Sequence, residues 1–197
     1  MSTLWRSSST ERWHDALASY RDVVSRQHVA RLAELDEWYR DELPTAIATR
    51  DKAYITHAEL VRLTEWKMAR GVWRAPNLVL VRGNDARQVV ETSTEAFAAV
   101  PLPTKPIAVL TTLAGVGPAT ASAAVSARAP EMYPFFDELV AAQVPALGAV
   151  KWTLGYYETY AEALRARAVA VGDGWTPTMV ERALWASVGG KAGKSAL

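Results

Sequence analysis

At 197 residues, 50% of them hydrophobic, the chain can bury a real core as one compact domain or two small lobes. Its 22 basic and 21 acidic residues exert no global pull on a polyanion, so any nucleic-acid surface has to be local. The absence of cysteine excludes disulfides, thiolate zinc sites, cysteine nucleophiles and cysteine-ligated iron-sulfur clusters.

No run of about 18 apolar residues occurs, and the N-terminus lacks an apolar stretch of signal-peptide length. A soluble, cytoplasmic, monomeric protein with no membrane partner is expected. Helical spacing dominates and sustained two-residue alternation is missing, so the fold class is all-α. Residues 1–49 read as a helical segment packed on the rest, 50–190 as the main domain, and 191–197 as a disordered tail.

In chain order, Ser8 with Glu11 predicts a capping box before a helix carrying Trp13, Leu17, Tyr20 and Val24. A second helical pattern carries Val29, Leu32, Leu35 and Tyr39, and Pro44 interrupts it. Its acidic run Glu34, Asp36, Glu37, Asp41 and Glu42 reads as a solvated face. Thr56 with Glu59 predicts a capped helix through Leu60, Leu63 and Trp66, ending at Gly71. A short helix is expected at 76–83, then one capped by Asn84 or Asp85. Thr104 is placed to cap a helix leading to Leu110. Further helices are expected near 138–147, 155–171 and 177–188, the last capped by Thr176 with Pro177 in its first turn.

Two features point to chemistry. Leu110, Leu113, Gly115-Val116-Gly117-Pro118, Ala121 and Val125 form a helix-hairpin-helix pattern. The glycines permit backbone angles closed to other residues, Val116 plugs the turn into the core, and Pro118 starts the second helix without wasting a donor. The turn amides, with Gly115, Val116, Gly117 and Thr120 as contacts, would then present an anion site suited to a nucleic-acid phosphate. The plain alternative is a tight helix-to-helix turn with no ligand. The second feature is a basic and aromatic cluster: Lys67, Arg70, Arg74 and Arg82, with Trp66 and Trp73 between them. It suits phosphate contact and base stacking, and equally a solvated helix face over buried tryptophans. His14, His28 and His57 lack metal-ligand spacing, so neither metal nor cofactor is expected.

The hairpin, together with the segment on its C-terminal side, resembles the helix-hairpin-helix DNA glycosylases of the endonuclease III superfamily. Leu113-Ala114-Gly115-Val116-Gly117 precedes Tyr133-Pro134-Phe135-Phe136-Asp137, with 22 positions from Gly115 to Asp137, as in the adenine-glycosylase branch. The likeness is specific over residues 110–140. The segments "WKMARGVWR" and "ERALW" are also similar to the Amun-like group, which extends the resemblance to roughly residues 43–188.

The resemblance implies a glycosylase-like helical fold, DNA as partner, and Asp137 as the catalytic carboxylate. Glu138 is its alternate, because the Amun-like string is one residue longer. Trp66, Tyr133, Phe135 and Phe136 are then candidate walls of a base pocket, with Trp73, Trp152, Tyr156 and Tyr157 as further candidates. The bifunctional branch carries a Schiff-base lysine where this chain has Ala119, which implies monofunctional hydrolysis by water. Asp137 also has the commonest role of an Asp before an apolar helix, an N-cap. A non-catalytic DNA-binding or protein-interaction module that keeps the fold therefore stays open.

Overall fold

The computed structural model describes residues 4–194. Regular structure among them is helical, without a strand, and no helix is long and apolar enough to cross a membrane. The helices are α1 (Thr10–Ala18), α2 (Tyr20–Ser25), α3 (Leu32–Glu37), α4 (Leu43–Ala48), α5 (His57–Arg70), α6 (Ala75–Arg82), α7 (Ala86–Ala98), α8 (Lys105–Leu110), α9 (Pro118–Arg128), α10 (Glu138–Ala141), α11 (Leu154–Val171), α12 (Pro177–Ser187) and α13 (Gly190–Lys194).

Local chemistry explains where the elements start. Thr56 and Glu59 cap α5 reciprocally: Glu59 N donates to Thr56 Oγ1 at 3.2 Å and Thr56 N to the Glu59 carboxylate at 2.7 Å. Asp85 accepts from Gln88 N and Thr176 from Met179 N, as caps of α7 and α12. At α1 the cap is Ser9 rather than Ser8: its hydroxyl accepts from Arg12 N, while Ser7 accepts from Ser9 N. Thr104 occupies the cap position of α8 but makes no capping bond. The expected helix at 138–147 is only one turn, α10, with a 3-10 turn beyond it at Pro145–Leu147.

Pro44 does not end its helix. The chain widens into a π turn over Trp38–Glu42, with Leu43 N bonded to Trp38 O, and continues as α4 with the proline in its first turn. Widening the turn there accommodates a residue that has no amide hydrogen to give. The expected tail is also partly ordered: Gly190–Lys194 is helical, and Lys191 Nζ donates to Gly71 O at 2.8 Å. Residues 195–197 of that tail lie outside the described residues.

α9 forms the centre. Its residues Ala119 to Ala127 are all buried, and α4, α5, α7 and α8 pack around it. Small side chains make this possible, because Ala, Ser and Thr let neighbouring backbones approach. α1 and α2 lie on α12, α3 on α5, and α4 on α9, so the first 49 residues share one continuous apolar core with the remainder.

Candidate functional site

The hairpin joins α8 to α9. Gly115 has φ +73°, in the left-handed region, and a Cβ there would sit 2.6 Å from Asn77 O and 2.9 Å from Leu80 Cβ. It is therefore needed twice over, for the turn and for the approach of α6. Asn84 locks this arrangement: its Nδ2 donates to Ala114 O and its Oδ1 accepts from Ala114 N, both at 2.9 Å. Gly117 differs from the expectation for it. Its φ of −94° and ψ of 179° are open to any residue, and an added Cβ would meet nothing within 4 Å. It caps α9 with no side-chain acceptor, leaving the first amides of that helix without a capping group. Val116 is buried in the core, as its plug role requires.

The segment leading to Asp137 is extended, and side chains satisfy its backbone. Ser122 of α9 accepts from Phe136 N at 2.9 Å, Tyr160 donates to Phe135 O at 2.7 Å, Tyr157 to Pro134 O at 3.3 Å, and Thr178 to Tyr133 O at 3.3 Å. Four side chains from three helices thus fix the entry to α10, tying it directly to the helix of the hairpin.

These pieces converge on one cavity of about 570 Å³. Gly117, Pro118, Ala119 and Thr120 line it from the hairpin side, and Phe135, Phe136, Asp137, Glu138 and Leu139 from the other. Lys67, Arg74, Asn77 and Lys191 complete the polar rim, and half-exposed Trp152 packs on Phe136 with centroids 4.9 Å apart. Lys67 and Arg74 form no ion pair with any described residue. Burial, then the neighbouring Arg74 charge, pulls the Lys67 amine below its ordinary value.

Asp137 does two things. Its Oδ1 accepts from Leu139 N at 2.8 Å and from Val140 N at 3.3 Å, capping α10, and its Oδ2 lies 3.5 Å from Arg70 Nε. Arg70 is 1% exposed and also grips Glu181, which is 0% exposed. Beyond Glu181 the run continues to Arg40 at 3.6 Å and from Arg40 to Asp36 at 3.8 Å. Asp36 is anchored by Tyr20 Oη at 2.7 Å and Trp66 Nε1 at 2.9 Å. Acid and base alternate along five side chains, and Asp137 is the end that faces the cavity. Burial holds the Glu181 carboxyl above its ordinary range, with Arg70 and Arg40 opposing the shift.

Arg70 does line the cavity, but at 1% exposed, because its position seven after Leu63 and four after Trp66 puts it on the buried face of α5. Other expected site residues sit elsewhere. Trp66 is not a pocket wall: it is fully buried, stacked on Tyr39 at 3.6 Å. Tyr133 is likewise buried, with its hydroxyl donating to Leu102 O. Gly115 and Val116 shape the turn without lining the cavity. Arg82 pairs with Glu65 at 2.9 Å. Trp73 is exposed beside the α5–α6 turn, whereas Tyr156 and Tyr157 pack behind Phe136. Asp36, read as part of a solvated acidic face, is buried.

The residues missed in the sequence were Glu181, Arg40 and Lys191. Glu181 falls between Val180 and Leu184 on the apolar side of α12, a placement that marks a buried charge. Among the described residues no group of three or more metal-ligating side chains comes together. Comparison of the chain with family models, curated proteins and solved structures finds no match.

Proposed function

We propose that the chain is a DNA-glycosylase-like protein of the helix-hairpin-helix kind, which binds DNA at the hairpin and hydrolyses the N-glycosidic bond of an extruded nucleotide. One observation carries the reading: the uncapped start of α9, two cations without acidic partners, an aromatic wall and a buried carboxylate all line a single cavity. The cations and free amides suit phosphates, Phe136 and Trp152 suit a base, and Asp137 suits the sugar between them. Its volume lies within the roughly 300–1,000 Å³ common for small-molecule sites.

In this reading the bond from C1′ to the base nitrogen breaks as positive charge develops on the sugar. The Asp137 carboxylate, held by its cap and by Arg70, opposes that charge. Water then supplies the new C1′ oxygen bond, and its proton leaves with the base. Ala119, on the cavity wall but without an amine, fits hydrolysis rather than attack by a lysine from that position.

A second reading rests on a specific observation. Both Asp137 oxygens already have partners, one the α10 amides and the other Arg70, as a purely structural cap would. A non-catalytic DNA-binding module is then what remains. The test is strand scission after alkali on duplexes carrying a panel of modified or mismatched bases, with duplex affinity measured in parallel by fluorescence anisotropy. Asp137→Asn is expected to slow release about a hundredfold or more while duplex affinity persists. Release at the wild-type rate by Asp137→Asn overturns the enzyme, and a wild type that binds DNA but releases no base supports the module.

A further inference from the structure

A second cavity, of about 470 Å³, lies at the other end of the buried charge run, where Asp36 and Arg40 rather than Asp137 contribute to the wall. We infer that it is a binding site for a small organic anion, a carboxylate or a phosphate ester, held by Arg182 and Arg40. The cavity lies among the π turn, α2, the end of α9 and the start of α12.

Three arginines and three acids line it, and the pairing among them leaves Arg182 out. Asp41 is engaged by Arg21 at 3.2 Å, and Asp36 accepts from Tyr20 and Trp66 and faces Arg40. Glu37 is exposed at the rim. Arg182, on the opposite wall, forms no hydrogen bond or ion pair with any described residue: its guanidinium lies over the Tyr20 ring, 4.7 Å from the centroid, and its Nε is buried without a partner. Arg40 is better served: it donates to Tyr20 Oη at 3.1 Å and pairs with Asp36 and Glu181, but its buried Nε makes no hydrogen bond. Guanidinium groups taken from water without a full set of acceptors are costly, and a ligand oxygen between them would supply what is missing. Desolvation, then repulsion from Arg40, already lowers the Arg182 pKa, the direction a bound anion would reverse.

Two local features add to this. Arg40 is carried by the π turn, a widening that recurs at functional sites, and it lines the cavity. The planar Tyr20 ring behind Arg182 keeps its fork rigid, which favours two-point recognition of a carboxylate or phosphate.

The test uses the full chain labelled with ¹⁵N and tracks the Nε–Hε resonances of Arg40 and Arg182 during separate titrations with inorganic phosphate and acetate. Saturable shifts of both resonances with at least one anion are expected, and the anion that saturates first identifies the headgroup. Arg182→Gln should weaken that binding about tenfold or more, with Arg182→Lys in between. The Lys67→Ala/Arg74→Ala variant should leave the shifts in place, which separates this site from the hairpin cavity. Thermal melts verify that the Arg182 variants fold. Shifts that are absent or never saturate with both anions overturn the inference, as does equal affinity in wild type and Arg182→Gln. This outcome does not depend on DNA binding, so it stands or falls apart from the function proposed above.

Discussion

The two hairpin glycines should respond oppositely to the same substitution. In Gly115→Ala the new methyl must adopt φ +73°, costing about 1 kcal/mol. It must also displace Asn77 O and Leu80 Cβ, which would lie 2.6 and 2.9 Å away, an overpacking cost of about 1–3 kcal/mol. The expected loss is therefore about 2–4 kcal/mol. Gly117→Ala meets nothing within 4 Å at an ordinary backbone angle, so folding should be unchanged or improved by about 0.5 kcal/mol through a less flexible unfolded chain. Its methyl nevertheless lies on the cavity rim beside the α9 amides, and duplex affinity should fall. Urea unfolding monitored by tryptophan fluorescence measures the first pair of values, and anisotropy with a labelled duplex measures the second. The reasoning is refuted if Gly117→Ala unfolds as early as Gly115→Ala, or if Gly115→Ala costs nothing.

Replacing Lys67 and Arg74 by glutamate should weaken duplex binding and flatten its dependence on salt, since each lost phosphate contact removes about one released counterion from the slope; an unchanged slope assigns the contact to other residues. Raising the pH should weaken duplex binding before an ordinary lysine pKa of 10.5 is reached, because the depressed Lys67 amine loses its charge early, and Lys67→Arg should move that fall upward in an affinity titration across alkaline pH. Arg70→Met, which strips the counter-ion from Glu181 and Asp137, should destabilise the fold by about 3–5 kcal/mol in urea titrations, and Glu181→Gln in the same chain should recover part of it. A carboxyl whose folded pKa is raised lends most stability at low pH and loses it as pH rises. The Glu181 carboxyl, already raised, goes higher without Arg70, so the Arg70→Met deficit should shrink as the pH is lowered toward 5.

Much of the helical layout was legible because its signals are local. Thr56 with Glu59, Asp85 and Thr176 act within one turn of chain, and a cap needs no distant partner to form. That the hairpin and the acid belong to one hollow was an expectation of the resemblance over residues 110–140; the cavity is lined by Gly117 and Asp137, which α9 and a pinned loop connect. The misses depend on which face of a helix turns inward. Arg70 and Asp36 look like surface charges in a string of residues, yet each tracks the apolar stripe of its helix into the core, where Glu181 and Arg40 await. Pro44 misled for a related reason: a π turn absorbed it, and no residue pattern announced that widening. Gly117 was assigned a strain it does not have, because a Gly-x-Gly string does not reveal which member turns left-handed.

The five alternating side chains from Asp36 to Asp137 make the interior a poor insulator. Where no solvent intervenes, a change of charge is felt over several neighbours instead of fading within a turn of helix. Whatever settles against Arg40 would alter how tightly Glu181 holds Arg70, and with it how much negative character Asp137 offers its own hollow. Two openings that share no lining residue would thus be in conversation through the densest part of the molecule.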